Sequence, residues 1–171
     1  MVESSIVSAF KFESYKVDKF NFQAAQSLDL LLFKGLIPEE ELVFNIAIRH
    51  PIYFEKVKVY VGGINISLFI LNNEGKIEKE EGQKISDSNK IFSVECGIAG
   101  VFSVENGRLE KEVENSLVFT QIPALLLPYL RGTLTSLLAN AGFGVVLLPL
   151  INIHEVAKQA LSDVQLQIIS E

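Results

Sequence analysis

The chain has 171 residues, of which 49% are hydrophobic, and a formal net charge of −6 at pH 7. This length predicts a single domain, residues 1–171, with enough chain to bury a sizeable core. The acidic balance, without any cluster of Lys and Arg, excludes nucleic acid as an expected partner, because phosphate binding needs a basic face.

The N-terminal region predicts a strand. The stretch SIVSAFKFESY, together with VDKFNF, carries Phe10, Phe12, Phe20 and Phe22 on an extended segment. The first residues lack a basic segment followed by an apolar one, so we do not expect a signal peptide. A single cysteine in the whole chain suits a reducing compartment, and we expect the cytoplasm.

Period-two alternation predicts three further strands, in ELVFNIAIR, KVKVYVGGINISLFIL and KIFSVECGIAGVFSVENG. The pair Gly62 and Gly63 interrupts the second of them and predicts a tight turn or a bulge. In each of these segments the apolar residues lie on one side of the strand and the polar residues on the other. This pattern indicates an antiparallel sheet with one covered face. The apolar face of the third strand is predicted to contain Phe92, Val94, Cys96, Ile98, Phe102 and Val104.

Two charged stretches are predicted to lie outside regular structure. Residues 72–90, NNEGKIEKEEGQKISDSNK, are polar and contain glycine, which predicts a long mobile hairpin loop. Residues 108–115, RLEKEVEN, are predicted to be a solvated segment.

The C-terminal third changes to a helical period at Pro123. Apolar residues then recur at steps of three and four, and Gly142 and Gly144 are expected to end this helix. After the extended link VVLLPLI, Asn152 is predicted to cap a short helix over IHEVAKQAL, and DVQLQII is either a strand or an ordered tail. Strands first and helices last indicate the α+β class. The predicted helix stripe contains Leu127, Leu130, Leu134, Leu137 and Ala141.

The long helix raises the question of a membrane span, because residues 132–154 carry no formal charge. Asn140, Gly142, Gly144 and Pro149 interrupt the stretch, and no Lys or Arg flanks fix an orientation. We therefore expect no membrane insertion.

The opposite face of this helix consists of small residues. They are compatible with an oligomer interface in which a second backbone approaches closely, or with packing under a neighbouring loop of the same chain. The residues of this face are Gly132, Ser136, Ala139 and Asn140.

No constellation of side chains predicts catalysis. His50 and His154 are not spaced as a metal pair, and Cys96 lies on the apolar side of its strand, where a small buried hydrophobe is expected. The glycine motifs are too short for a phosphate loop. We predict neither an enzyme nor a cofactor or metal site.

The C-terminal third resembles the SecB family of protein-export chaperones. The family pattern in PALLLPYLRGTLTSLLANAGFGVVLLPLINIHEV consists of Pro123, Pro128, Tyr129, Arg131, Phe143, Pro149 and Asn152, with the proline of the link displaced by one position. A second matching stretch, IFSVECGIAGVFSVENG, supplies Gly97, Gly100, Val101, Phe102, Ser103 and Val104.

This resemblance implies a four-stranded or slightly larger antiparallel sheet, followed by one long and one short C-terminal helix packed on one face. It implies an ATP-independent holdase that keeps unfolded or precursor polypeptides competent for export in the cytoplasm and passes them to the SecA motor. SecB-type subunits assemble as a homotetramer, a dimer of dimers with the long helices between the dimers. The resemblance thus favours the oligomer interpretation of the small-residue face.

Other functions stay open at this point. The apolar stretch VQLQIIS precedes Glu171, where the family has a polar, acidic tail that contacts SecA, and two loops are longer than usual. A chaperone dedicated to one client, such as a toxin–antitoxin partner, is one alternative. A non-chaperone oligomeric adaptor and a carrier of small apolar ligands are the others.

A holdase needs exposed apolar and aromatic surface, which ordinary monomers avoid. Each candidate residue has ordinary core packing as its alternative. Glu95 and Glu105 are predicted contacts for a translocation partner, and the net negative charge favours clients with basic stretches. The predicted client-binding groove contains Phe20, Phe22, Phe102, Leu127, Tyr129, Leu130 and Phe143.

Overall fold

The computed structural model describes residues 10–24, 42–80, 84–105, 110–143, 148–160 and 165–170. These residues form one six-stranded sheet and three helices. The strands are β1 (Phe10–Ala24), β2 (Leu42–Ile48), β3 (Ile52–Phe54), β4 (Val59–Leu71), β5 (Lys90–Val104) and β6 (Gln167–Ile169). The helices are α1 (Asn73–Glu80), α2 (Lys111–Asn140) and α3 (Ile153–Ala160). The α+β class is confirmed, with two more strands than the four-stranded minimum.

The sheet order is β1-β5-β4-β3-β6, with β2 pairing beside β3 on the same side of β4. β2 and β3 are two halves of one antiparallel partner of β4, interrupted at residues 49–51. The interruption contains Pro51, which lacks the N–H needed for the ladder. β6 pairs with β3 in parallel. Residues 167–169 of the stretch DVQLQII are therefore a strand and not an ordered tail.

The core lies between α2 and one face of β4 and β5. The register of these strands places Ile64 opposite Ile98 and Ile66 opposite Cys96, and all four are buried. The predicted apolar face of β5 is confirmed. From α2, buried residues at four-residue spacing complete the core: Val118, Ile122, Leu126, Leu130, Leu134 and Leu138.

The prediction of a turn or bulge at the double glycine is wrong, because β4 runs without a register shift through Gly62 and Gly63. The two glycines instead make room on opposite faces of the sheet. A Cβ at Gly62 would lie 2.7 Å from Cγ2 of Ile122, and a Cβ at Gly63 would lie 3.1 Å from Cδ of Arg49. The chain turns earlier, at residues 55–58, where Lys58 has a φ of 55°.

Replacing Gly62 by valine is expected to lower the free energy of unfolding by about 1–3 kcal/mol, because it overpacks the contact between β4 and α2. Replacing Gly132 by alanine is the matched control. An added Cβ at Gly132 meets no atom within 4 Å, so the gain in helix propensity should stabilise the protein by up to about 1 kcal/mol. Thermal unfolding of both variants measures the difference, and equal midpoints would contradict the tight approach at Gly62.

α2 is longer than predicted. It begins at Lys111 instead of near Pro123, so residues 111–115 of the charged stretch are helical, and both Pro123 and Pro128 lie in its interior. An interior proline costs about 3 kcal/mol. Burial of the apolar stripe upstream of Pro123, at Val118 and Ile122, offsets this cost.

The first turn of α2 is tied to the sheet. The Tyr60 hydroxyl on β4 donates a hydrogen bond of 2.5 Å to the Glu114 carboxylate, and burial raises the pKa of Tyr60 well above its usual value. The stripe predicted for α2 is also shifted: Leu138 is buried, whereas Leu137 is half-buried and Ala141 is exposed. By length and composition α2 could cross a membrane, but its apolar stripe packs on the sheet.

The predicted end of α2 is confirmed. Gly142 has a φ of +90°, its N–H bonds the Ala139 carbonyl, and the Phe143 N–H bonds the Leu138 carbonyl. This is a Schellman motif, which requires a residue that tolerates positive φ. The predicted cap of α3 is also confirmed, because the Asn152 side chain accepts a hydrogen bond of 3.4 Å from the Glu155 N–H.

The prediction of an irregular loop over residues 72–90 is wrong. Asn72 caps α1 by accepting a hydrogen bond of 2.8 Å from the Gly75 N–H, and its own N–H bonds the Asn89 carbonyl at 2.9 Å. A single 3₁₀ turn at Asp87–Asn89 then leads into β5. The polar composition predicted exposure correctly, but the asparagine pair that closes this connection is a long-range contact that no local pattern reveals.

Candidate functional site

β1 is the edge strand of the sheet, and its apolar residues are separated by two, three, two, three and two positions. Register shifts occur between Phe12 and Ser14 and between Val17 and Lys19, so Glu13 and Asp18 are the additional residues of two bulges. One additional residue returns the following side chains to the original face of the strand. All apolar residues of β1 therefore share the face that α2 covers: Phe10, Phe12, Tyr15, Val17, Phe20 and Phe22.

An aromatic cluster joins β1 to α2. The ring of Tyr129 lies 4.5 Å from that of Tyr15 and 5.2 Å from that of Phe12. Phe102 on β5 lies beneath them, 5.2 Å from Phe12 and 5.4 Å from Phe10. Ring pairs at these separations stabilise each other by about 0.5–1.5 kcal/mol beyond their burial.

The upper part of this cluster is accessible. The exposed fractions are 42% for Tyr15 and 40% for Tyr129, whereas Phe102 beneath them is completely buried. The tyrosines form one wall of an open depression of about 440 Å³, which we call the β1–α2 groove. It is lined by Tyr15, Pro128, Tyr129, Gly132, Thr133, Ser136 and Leu137.

The groove continues along β1 as an exposed apolar strip. Val17 and Phe20 follow Tyr15 on the same face, and both are exposed. The strip ends at Phe22, which is half-buried and packs edge-on against Phe92 at 5.8 Å and Phe143 at 5.3 Å. An ordered aromatic cluster therefore fixes each end of the strip.

The structure divides the predicted client-binding residues into two groups. Phe20 and Tyr129 are exposed and Phe22 is half-buried, as a groove requires. The other four are core residues, so the prediction of an accessible position is wrong for them: Phe102, Leu127, Leu130 and Phe143. All four belong to the hydrophobic core cluster, and Leu127 and Leu130 are members of the stripe of α2 that the helical period predicts to be buried.

The small-residue face of α2 is exposed in the single chain, at Gly132, Ser136, Ala139 and Asn140. Gly132 and Ser136 also line the β1–α2 groove. An oligomer interface on these residues stays a prediction, and it would border the groove or share its floor.

Sequence reasoning missed Tyr15 as a residue of the β1–α2 groove and Val17 as a residue of the apolar strip. The signal was present in the spacing of β1, because apolar residues separated by alternating steps of two and three predict a strand with regular bulges. Reading β1 as a plain alternating strand places Tyr15 and Val17 on the opposite face from Phe12 and Phe20.

The opposite face of the sheet is polar and carries an ion pair that spans four strands. The Arg49 guanidinium, from the end of β2, binds both carboxylate oxygens of Asp18 at 2.5 and 2.6 Å. Its Nε–H donates a hydrogen bond of 2.8 Å to the Asn65 side chain on β4. About three quarters of each charged side chain is covered, with exposed fractions of 27% for Arg49 and 25% for Asp18.

The hydrogen bonds from Arg49 hold the pKa of Asp18 below its usual value. The ion pair therefore contributes its full stabilisation above the pKa of an unfolded aspartate, about 3.9, and loses it as the pH falls through the lower folded pKa. Replacing Asp18 by asparagine should lower the free energy of unfolding by about 1–3 kcal/mol at neutral pH. The difference between wild type and variant should shrink below about pH 4.

Urea unfolding at a series of pH values measures this difference. Replacing Glu95 by glutamine is the control, because its ion pair with Lys19, at 2.8 Å, lies on the same face between largely solvated side chains. A surface pair of this kind contributes less than about 1 kcal/mol. If the difference in unfolding free energy between wild type and the Asp18 variant did not change with pH, the ion pair between Asp18 and Arg49 would not be the source of the stabilisation.

The structure places three of the remaining polar or ionisable residues, and a partner contact at Glu95 stays a prediction. His50 accepts a hydrogen bond of 2.8 Å at Nδ1 from the Gln165 N–H, beside the start of β6. Cys96 is buried on the apolar face, as predicted, and burial raises the pKa of its thiol to about 11. Glu95, a predicted partner contact, lies on the polar face in its ion pair with Lys19.

The comparisons with known proteins agree on one family. The family model "Preprotein translocase subunit SecB" matches residues 74–163. The chain is 36% identical over 86 residues to the protein-export protein SecB of Cellvibrio japonicus, covering 50% of each chain. It is 33% identical over 110 residues to that of Rhodopseudomonas palustris strain TIE-1, covering 61% of this chain and 69% of the relative. The chain thus spans about half the length of the first relative.

A solved structure is similar over most of the fold. It is the Mycobacterium tuberculosis Rv1957 SecB-like chaperone in complex with a ChAD peptide from the Rv1956 HigA1 antitoxin. The TM-score is 0.54 and the sequence identity 12%, over 84% of this chain and 91% of that chain. At this identity the similarity supports the fold alone.

Proposed function

Because this chain belongs to the SecB family of protein-export proteins, we propose that it is a molecular chaperone that binds unfolded polypeptides without ATP. The observation that carries the proposal is the β1–α2 groove with its apolar strip, which stays exposed while the core beneath it is complete. Exposed apolar surface over a finished core marks a binding site in a soluble protein.

The groove suits polypeptide clients of many sequences. Burying a client Leu or Phe side chain contributes about 1.5–3 kcal/mol, so a few anchors along the groove and strip give useful affinity without a sequence code. Aromatic walls supply contact area at a low entropic cost, because a tyrosine side chain has few rotatable bonds. A holdase of this kind needs no catalytic group, so the proposed function is not an enzymatic one.

The groove itself is almost uncharged. Arg131 is the one formal charge among residues 115–154, and its guanidinium donates a hydrogen bond of 3.0 Å to the Leu148 carbonyl. Client selection at the groove is therefore by apolar content, and the net charge of −6 acts at longer range by favouring basic clients.

The partners we propose are unfolded precursor proteins destined for export, with delivery to the SecA motor in the cytoplasm. A dedicated client is the second possibility; the SecB-like chaperone of similar fold is in complex with an antitoxin-derived peptide. We further propose a homotetramer, a dimer of dimers. The exposed small residues of α2 supply a surface on which a second copy can approach closely.

The test uses carboxymethylated α-lactalbumin, which stays unfolded in buffer, as a client. Fluorescence anisotropy of the labelled client should show saturable binding that ATP does not change, and the chaperone should suppress light scattering by an aggregating unfolded enzyme. Folded α-lactalbumin is the control and should not bind. Absence of binding and of suppression at excess chaperone would contradict the proposal, and a co-purified lipid in native mass spectrometry would favour a carrier instead.

A further inference from the structure

We propose that Arg49 is a positioning residue for the β1–α2 groove: through Asp18 it fixes the face and the exposure of Val17 and Phe20 on the other side of the sheet. The proposal rests on the proposed function, since its consequence is measured as client affinity. It assigns a role in client binding to a residue on the face of the sheet opposite the groove.

The first step concerns the bulge at Asp18. Val17 pairs with Ile98 and Phe20 with Cys96, and these pairs face α2 only because Asp18 is an additional residue between them. Without it, a one-residue slip would move Phe20 to the polar face of the sheet. The additional residue of a bulge has no paired residue in the neighbouring strand, so its position depends on another interaction.

Each bulge of β1 is held by a carboxylate on the polar face. At the first bulge, the Ser103 hydroxyl on the neighbouring strand β5 donates a hydrogen bond to the Glu13 carboxylate. At the second bulge, Asp18 is held by Arg49, which comes from beyond both β5 and β4. The second anchor therefore links the edge strand to the far side of the sheet.

Two glycines, which lack side chains, leave room for the Arg49 side chain to cross the sheet. An added Cβ at Gly63 would lie 2.6 Å from the Ile98 carbonyl oxygen and 3.1 Å from Cδ and Nε of Arg49. One at Gly97 would collide with Nη2 of Arg49 and lie 2.5 Å from Oδ1 of Asn65. Three guanidinium nitrogens are used, with Nε bound to Asn65 and both terminal nitrogens bound to Asp18. Only a planar fork satisfies these partners, so lysine cannot replace arginine.

The effect of losing this anchor is confined to the exposed strip. Phe12 is fixed by Phe102 and Tyr129 on one side of the strip, and Phe22 is fixed by Phe92 and Phe143 on the other. Between these clusters Val17 and Phe20 have exposed side chains, and the bulge lies between them. The fold therefore persists without the anchor while the strip loses its fixed geometry.

The experiment compares Arg49→Lys and Gly97→Ala with wild type, using anisotropy of labelled carboxymethylated α-lactalbumin. Arg49→Lys keeps the charge but loses the fork, and Gly97→Ala keeps both charged residues but displaces the guanidinium. We expect about a tenfold loss of client affinity for each. Adding Asp18→Asn to Arg49→Lys should cause little further loss, because both act on one interaction.

The matched control is Lys19→Met, which breaks the neighbouring ion pair with Glu95 on the same face, and it should leave client affinity unchanged. Hydrogen exchange of the amides of residues 15–20 provides a second readout that needs no client. Exchange there should accelerate in Arg49→Lys, while exchange in β4 stays slow.

Equal affinities of wild type and Arg49→Lys, or an equal loss in Lys19→Met, would overturn the proposal and leave the holdase function intact. Failure of wild type to bind any client would refute the proposed function instead. In that case unchanged exchange at residues 15–20 in Arg49→Lys would also refute the positioning role.

Discussion

Replacing Leu130 by alanine should lower the free energy of unfolding by about 3–5 kcal/mol, the largest stability effect we expect from a single substitution. Leu130 is completely buried in the cluster that α2 forms with β4 and β5. Truncation removes the transfer free energy of the buried methyl groups and leaves a cavity that a long helix on a rigid sheet cannot close. Urea unfolding followed by far-ultraviolet circular dichroism measures the loss.

The matched control lies on the same helix. Leu125 is the same residue type, but 38% of it is exposed, so Leu125→Ala should cost less than about 1 kcal/mol. A similar loss at both positions would contradict the packing of α2 on the sheet, in which Leu130 is buried and Leu125 is exposed. The comparison also decides between a core and a groove role for Leu130, because a groove residue would lower client affinity with little effect on unfolding.

The sheet could be predicted from the sequence because its strands have one covered face. The alternation in β5 assigned Phe92 and Val94 to the core, and the register confirms it. Likewise, the order of strands and helices was sufficient to predict the α+β class. These features depend on the alternation of apolar and polar residues, which a single sequence displays directly.

Predictions failed where a local rule was overruled by a tertiary contact. Gly62 and Gly63 suggested a turn, but their lack of side chains serves the approach of Ile122 on one face and the path of Arg49 on the other. Pro123 suggested a helix start, but the burial of α2 on the sheet carries the helix through it. A glycine or a proline indicates that the backbone or its surroundings are sterically constrained at that position. The sequence alone does not show which neighbouring residue causes the constraint.

The groove was predicted only in part for a related reason. The sequence shows which residues of α2 are apolar, but the orientation of the helix about its own axis decides which of them are accessible. In this orientation Tyr129 is exposed and its neighbour Leu130 is buried. On β1, the anchors that hold the bulges come from distant positions such as Arg49 and Ser103. Accessibility is a property of this packing, so residue type alone cannot separate the groove from the core.

Replacing both Tyr15 and Tyr129 by serine should weaken client binding by about ten- to hundredfold, the largest functional effect we expect. Their rings lie 4.5 Å apart and form the accessible wall of the β1–α2 groove, so their removal takes away the principal apolar contact area for a client. Because both side chains are 40% or more exposed, the core keeps its packing and unfolding should remain cooperative. Anisotropy of labelled carboxymethylated α-lactalbumin gives the affinity.

Phe44→Ser is the control for this pair. Phe44 is an aromatic residue on the α2-facing side of β2, and its exposed fraction, 41%, is close to the 42% and 40% of the two tyrosines. If clients bind wherever an aromatic side chain is exposed, the control and the double variant should lose affinity alike. If the groove is the binding site, only the double variant loses affinity, because the wall formed by Tyr15 and Tyr129 borders the strip that continues through Val17 and Phe20. Phe44 lies on β2, which is separated from β1 by two strands, β5 and β4. An unchanged affinity of the double variant would move the client site away from β1 and α2.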